Sequence, residues 1–383
     1  MVAIDSYAGG DGRLSPLSTP SATRAVLEAH GIGTKYTLGQ NFLVNDDVLK
    51  KIIALAEVGE DDRILEVGPG IGTLTIALLK HAAGVVAIER DPDLPAVLAD
   101  TLHPWREKFA LIEKDALDVT RDDIVSVAST MVEPGGDAGC PDRASSAANE
   151  TAQWAVSQSE DCLSESGHPA SPPQEDLQLS LPSKLVANLP YAVAATVVLD
   201  YFESFPFLDS ATIMVQKEVA DRMAAAVGTK NYGAYTVKLG LYAEPVGRFA
   251  VGPGNFFPPP RVDSAVIRLN RRVPLMADGA PASPEVIAAA ALMADAAFTN
   301  RRKTIANSCK TYFSGRGPIL LGVADSSAAE GAPTIALPDG AATAERLPAI
   351  FEAAAIDPRR RGETLTQQEF LALGAALLKV TAA

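Results

Sequence analysis

The chain has 383 residues, 47% of them hydrophobic, with 33 Lys and Arg against 47 Asp and Glu for a formal net charge of −14. That length suits two or three domains with a sizeable core, and the acidic balance taken alone argues against a nucleic-acid binder. Cys140, Cys162 and Cys309 are widely spaced and form no CxxC pair, so neither a disulfide scaffold nor a zinc site is indicated and a reducing, cytoplasmic compartment is expected. The first residues lack a basic stretch followed by an apolar run, and no apolar run reaches the roughly 18–20 residues of a membrane span, so neither a signal peptide nor a membrane partner is expected.

Residues 1–34 are rich in Ser, Gly, Pro and Thr without periodicity and read as a flexible arm carrying a short helix over Thr23–His30. Helical and strand patterns then alternate. Asp46–Ala56 is amphipathic with an acidic start and predicts a helix. Arg63–Val67 is a short apolar run stopped by glycines, hence a buried strand, and Thr73–Lys80 opens the next helix. Gly84–Glu89 and Ala110–Ile112 predict two more strands. The alternation points to an α/β fold with a parallel, doubly wound sheet.

Residues 133–182 break this rhythm with nine acidic residues against one basic, and predict a disordered acidic insertion within the first domain. The pattern resumes with a strand at Lys184–Ala187, a helix at Val193–Phe202, a strand at Ala211–Gln216, a helix at Glu218–Ala226 and a last strand at Ser264–Leu269. Helices over Glu285–Phe298, Arg302–Tyr312, Ala344–Ala354 and Thr366–Lys379, with a loop at about 322–342, predict a smaller all-helical domain. The expected division is an arm over 1–34, an α/β domain over 35–272 and a helical domain over 273–383. Charge is uneven along the chain: residues 211–316 hold fourteen Lys and Arg against seven Asp and Glu. That basic half reopens the nucleic-acid reading.

The loop Glu66-Val67-Gly68-Pro69-Gly70-Ile71-Gly72 lies between a predicted strand and a predicted helix. Glycines there allow a sharp turn and close approach to a ligand. Glu89 ends the next strand, 21 residues after Gly68, where a carboxylate can accept from ribose hydroxyls. A glycine loop alone is also an ordinary strand–helix turn; Glu66, Glu89 and Asp115 in register make it a nucleoside site. The dinucleotide spacing GxGxxG is not met, since Thr73 stands at its third glycine, which disfavours an NAD-dependent dehydrogenase. No Lys-Ser/Thr follows, so it is not a P-loop. Glu66 would repel a phosphate and suits a cationic ligand. S-adenosylmethionine carries an ammonium and a sulfonium and no phosphate, and Asp115 could accept from its adenine amino group.

Asn188-Leu189-Pro190-Tyr191 closes the next strand on the same sheet edge. Such a tetrad suits methyl transfer to an exocyclic amine, whose lone pair is delocalised into the ring. The Asn188 side-chain oxygen and the Leu189 carbonyl can accept the two amine hydrogens and favour a pyramidal, attacking nitrogen. Pro190 stiffens the turn, and Tyr191 offers a face for the base. No strong general base is required, because the amine grows more acidic as it gains the methyl, and most of the catalysis is positioning.

The chain resembles the bacterial small-subunit (16S) rRNA adenine dimethyltransferases. The resemblance rests on Gly39-Gln-Asn-Phe-Leu43, EVGPGIGTLT at 66–75, Asn188–Tyr191, MVQKEVADRM at 214–223, FFPPPRVDSAVIRL at 256–269 and AFTNRRKTIANS at 297–308. It spans Lys35 to about Leu378 apart from the insertion. It implies a Rossmann-like S-adenosylmethionine-dependent domain followed by a small helical domain. The implied activity is dimethylation of two adjacent adenosines in a hairpin loop near the 3′ end of 16S rRNA, in an assembling small ribosomal subunit; a monomer is expected. It places Gln40, Asn41, Leu43, Glu66, Gly68, Gly70, Gly72, Glu89, Asp115 and Asn188 at the cofactor. Asn188, Leu189, Pro190 and Tyr191 would hold the target adenine, with Phe256 as the opposite face of its stack. Arg222, Arg248, Arg261, Arg301, Arg302 and Lys303 become candidates for the RNA backbone, with Arg268, Arg271, Arg272 and Lys310 beside them. No metal ligand set is implied. The run Lys35-Tyr-Thr-Leu38 departs from the basic-aromatic pair usual there. Two rivals remain on the same scaffold: the large-subunit rRNA adenine methyltransferases of macrolide resistance, against which MVQKEVADRM and AFTNRRKTIANS argue, and a non-catalytic assembly or transcription factor.

Overall fold

The computed structural model describes residues 12–33, 40–131, 181–322 and 334–382. The acidic insertion expected over 133–182 lies outside the described residues except at its end, where Leu181 is already buried in the core.

The expected flexible arm does not hold for residues 12–33. Helix α1 (Pro20–Ala29) is capped by Thr19, whose side chain accepts from the Ala22 amide. Leu17, Val26 and Leu27 are buried in the same core as helix α2 (Asp46–Ala56). The Leu14 and Ser15 amides donate to Asp46 Oδ1 at 2.8 and 3.2 Å, tying the segment to the start of α2. A few large apolar residues spread among many small and polar ones were too sparse a signal to predict that packing.

The body is a seven-stranded sheet. Strand β1 (Phe42–Leu43) stands apart from it, paired with β8 (Phe256–Phe257). The sheet contains β2 (Arg63–Val67), β3 (Gly84–Ile88), β4 (Phe109–Ile112), β5 (Lys184–Asn188), β6 (Ser210–Gln216), β7 (Ala243–Val251) and β9 (Ser264–Arg271), in the order β4-β3-β2-β5-β6-β9-β7. Helices α3 (Thr73–Leu79), α4 (Leu94–Thr101), α5 (Arg121–Ala128), α6 (Ala194–Ser204), α7 (Lys217–Met223) and α8 (Ala234–Gly240) connect the strands. Every residue of β2 and β3 is buried, as expected of strands covered on both faces.

The sheet is mixed rather than wholly parallel: β4, β3, β2, β5 and β6 run parallel, while β9 and β7 add antiparallel. Strand β7 escaped the sequence reading because it is an edge strand, mostly exposed, with Pro245 and Gly247 at a register shift.

The C-terminal part contains α9 (Pro284–Phe298), α10 (Ile305–Phe313), α11 (Gly340–Ala353) and α12 (Gln367–Ala382) around Met293, Phe313, Phe351 and Phe370. It is not purely helical: β10 (Ile319–Gly322) and β11 (Thr334–Leu337) form an antiparallel pair where a loop was expected. The connection between α7 and α8 packs into this second core through Tyr232, whose hydroxyl donates to the Leu365 carbonyl at 2.8 Å. Lys238 on α8 pairs with Asp295 on α9 at 3.0 Å. No helix among the described residues is long and apolar enough to cross a membrane.

Candidate active site at the carboxyl edge of the sheet

The carboxyl ends of β2, β3, β4 and β5 and the segment leading into β1 enclose a cavity of about 540 Å³. Its volume falls within the usual range for small-molecule sites. Of the residues singled out in the sequence, Gln40, Asn41, Leu43, Glu66, Gly68, Gly70, Glu89, Asp115 and Asn188 to Tyr191 line it.

Loop geometry explains the glycines. Gly68, Gly70 and Gly72 all have positive φ, at 70°, 62° and 88°. At Gly70 an added Cβ would stand 3.1 Å from Phe42 Cε1 and 3.2 Å from Cδ1, so that glycine seats the ring of β1 against the loop. Gly70→Ala should cost about 1–2 kcal/mol of stability through its left-handed backbone and displace Phe42 from the cavity wall. Thermal melts and cofactor titration check this; an unshifted melt would refute it. Gly72 departs from its expected role. A Cβ there would meet Thr101 and Leu102, and Gly72 does not line the cavity. It serves the packing of α3 on α4 rather than a ligand.

Glu66 is the penultimate residue of β2, with 1% exposure. Burial pushes its carboxyl up to about 8; the nearby Thr75 hydroxyl opposes this and the Glu89 charge adds to it. Its Oε2 has no hydrogen-bond partner, and neither has the buried hydroxyl of Thr73. A buried carboxylate oxygen without a donor is costly unless a ligand supplies one, and an ammonium suits it. Glu89 is held by the Arg90 and Asp91 amides, both 2.9 Å from Oε1, and burial pushes its carboxyl up too. Asp115 accepts from the Leu117 amide at 3.1 Å and from Arg90 Nη1 at 2.7 Å. The Leu117 amide, more than the Arg90 guanidinium, holds the Asp115 carboxyl below the usual range.

Across the cavity, Asn188 Nδ2 donates to the Asn41 carbonyl at 3.2 Å, which leaves the side-chain oxygen as an acceptor. The Leu189 amide donates to Met214 O at 3.1 Å and fixes the peptide. The Tyr191 hydroxyl shares a 2.5 Å hydrogen bond with Ser264 Oγ, so its ring is pinned from behind. Phe256 does not take its expected place: it is 4% exposed, pairs with Leu43 across β1–β8 and does not line the cavity. Its ring packs in the core beneath the segment that holds Leu43.

The sequence reading missed Phe42, Thr73, Lys114 and Gln216 on the cavity wall. It also missed Asp91, whose Oδ2 accepts from Gln40 Nε2 at 2.7 Å. Only proximity in space reveals these, although Arg90-Asp91 directly after Glu89 was a readable sign.

The basic candidates divide. Arg261, Arg302, Lys303 and Lys310 are exposed. Arg222 pairs with Glu218, Arg248 with Asp221 and Arg301 with Glu363, each remaining about half exposed. Three others are structural. Arg268 reaches Glu57 and the Leu55 carbonyl, and Arg272 donates to Gln367 on α12. Arg271 donates to the carbonyls of Leu208, Phe202 and Phe205, closing the end of α6. Arg271→Ala should therefore destabilise the fold by roughly 3 kcal/mol while leaving RNA affinity of the folded fraction unchanged. Denaturant melts beside RNA binding test this; a stable variant that binds RNA poorly would contradict it.

A family model described as ribosomal RNA adenine dimethylase matches residues 33–332. The chain belongs to the ribosomal RNA adenine dimethylase family. It is 32% identical over 364 residues to the ribosomal RNA small subunit methyltransferase A of Geobacillus sp. (strain WCH70), covering 95% of this chain and 98% of that protein. It is also 32% identical over 367 residues to the methyltransferase of the same name from Enterococcus faecalis (strain ATCC 700802 / V583), covering 95% and 97%. Among solved structures, a dimethyladenosine transferase from Plasmodium falciparum superposes with a TM-score of 0.54 at 20% identity, covering 88% of this chain and 98% of that one. That likeness supports the Rossmann-like fold. The dimethylase's cofactor is S-adenosylmethionine, which supplies an electrophilic methyl group when bound. The orphaned Glu66 oxygen, the Glu89 carboxylate and the glycine loop fit its ammonium, its ribose and its lack of a phosphate.

Proposed function

We propose that this dimethylase transfers methyl groups to the exocyclic amines of two adjacent adenosines in a hairpin loop near the 3′ end of 16S rRNA. It would act as a monomer in the cytoplasm, on an assembling small ribosomal subunit. The carrying observation is that the glycine-loop carboxylates and Asn188–Tyr191 line one cavity within a single chain. The proposed division of labour follows residues 35–272 for cofactor and base, and 273–383 for further RNA contact.

Glu66 would meet the cofactor's ammonium, Glu89 its ribose hydroxyls and Asp115 its adenine amino group. Gln40 would order the segment bearing Asn41 and Leu43 through Asp91. Asn188 Oδ1 and the Leu189 carbonyl would accept the two hydrogens of the target amine, drawing its lone pair out of conjugation with the ring. Tyr191, with its hydroxyl engaged by Ser264, would act as a stacking surface rather than as an acid. The proton released after transfer passes to solvent. Arg222, Arg248, Arg261, Arg301, Arg302 and Lys303 would meet phosphates.

Incubation with tritiated S-adenosylmethionine and immature small subunits, followed by nuclease mapping, tests the reading. Label in two neighbouring 3′-terminal adenosines as dimethyladenosine supports it. Label confined to large-subunit RNA moves the substrate, and cofactor binding without transfer to either RNA favours a binding-only role.

A further inference from the structure

Beside the target-base end of the cavity, one carboxylate bridges two cations. Asp221 on α7 accepts from Lys217 Nζ with Oδ2 and from Arg248 Nη1 with Oδ1, both at 2.8 Å. Lys217 begins α7 and Arg248 sits on the edge strand β7, so the carboxylate joins two elements that differ in origin.

Their place relative to the cavity follows from the backbone. Gln216, which lines the cavity, pairs in register with Ser264. Ser264 holds the Tyr191 hydroxyl. Lys217 is the next residue after Gln216, and its amide donates to the Asp263 carbonyl at 2.9 Å. The cations therefore flank the wall that carries Tyr191.

Their exposure is graded. The side chains of Lys217 and Arg248 are 52% and 50% exposed, while that of Asp221 is 22% exposed. Asp221 is held below the usual carboxylate range by Lys217 first and by Arg248 after burial is set against them, so it stays charged. Exposed ion pairs of this kind contribute little to stability, on the order of 0–1 kcal/mol. Two cations facing solvent over one carboxylate, with a net charge of one positive, suit a shared anion better than they suit fold stability.

We propose that Lys217 and Arg248 form a single seat for a phosphodiester of the rRNA strand that delivers the adenosine to Tyr191. Asp221 tempers that seat: its carboxylate occupies both cations until a phosphate displaces it. The inference rests on the rRNA reading above. It adds Lys217 and Asp221 to the substrate-facing residues and assigns Asp221 an opposing electrostatic role: the carboxylate competes with the phosphate for the same two cations.

The sign of the effect is the test. Full-length protein and three variants, Asp221→Asn, Lys217→Gln and Arg248→Gln, are titrated against an in vitro transcript of small-subunit rRNA over a range of salt. Each cation removed should flatten the salt slope by about one. Asp221→Asn should bind roughly fivefold tighter at low salt, the factor for one unit charge at about 4 Å in water, and steepen the slope. S-adenosylmethionine titration alongside separates effects on RNA from effects on the cofactor site. A tie that merely braces α7 against β7 would make Asp221→Asn bind RNA more weakly, and that result overturns the proposal. Slopes unchanged in both cation variants also overturn it, and these variants decide the matter if Asp221→Asn does not fold. Failure of the unaltered protein to label small-subunit RNA would strike the rRNA reading itself, whereas labelling with unchanged slopes removes only the seat.

Discussion

Replacing Asn188 by Ala should lower the rate of methyl transfer by about 10²–10³-fold, the usual loss when one preorganised polar group at the reacting centre is removed. The side chain spends its nitrogen on the Asn41 carbonyl, so in the proposed role its oxygen accepts from the amine. Stability should change little. One part-buried hydrogen bond is lost, worth about 1 kcal/mol, or a melting shift of no more than about 4 °C. Asn188→Asp keeps an acceptor oxygen and should recover part of the rate, which a purely anchoring role through the nitrogen would not allow. Single-turnover labelling with saturating cofactor reads the chemical step. A rate within tenfold of the unaltered protein would remove Asn188 from the reacting centre.

Cofactor binding should release about one proton at neutral pH. The free site holds Glu66 near 8 by burial, hence mostly protonated at pH 7. A neighbouring ammonium favours the ionised form and pulls that value down, so the proton leaves as the ligand arrives. Calorimetry in two buffers of different ionisation enthalpy measures the release directly; equal heats in both buffers would falsify the assignment. Glu66→Gln should bind the cofactor roughly 10–100-fold more weakly and release no proton from this position.

The same group sets a stability trend in the cofactor-free protein. A carboxyl raised from 4.5 to about 8 binds more protons folded than unfolded across that interval. Stability is therefore greatest below the lower value, falls as pH rises through the interval, and levels off above about 8. Glu66→Gln should flatten most of this fall. Glu89, pushed up in the same direction, leaves a smaller residual slope.

Local signals were enough for much of this molecule. The strand Arg63–Val67 and the helix Asp46–Ala56 appear with the expected bounds, because an uninterrupted apolar run and an acidic helix start need no distant partner to be recognised. Glu66 lies at the carboxyl end of one parallel strand and Glu89 and Asp115 just beyond the next two, and the regular strand–helix alternation brings strand ends to one edge. Their meeting with Asn188–Tyr191 was legible for that reason, across a long intervening segment.

Tertiary structure decided what depends on partners. Whether a basic side chain faces solvent or caps a helix cannot be read from its neighbours in sequence: Arg271 closes α6 from another element, while Arg261 stays exposed. Phe256 and Phe257 are adjacent and chemically alike, yet only the pairing of β8 with β1 sends Phe256 into the core. The sequence by itself determined the α/β class and singled out the glycine loop with its carboxylates and the tetrad Asn188–Tyr191, because periodicity and turn chemistry act over a few residues. The fold alone decided the packing of the N-terminal segment, the two antiparallel strands at one side of the sheet and which cations are paired, because burial and ion pairing depend on residues far apart in the chain.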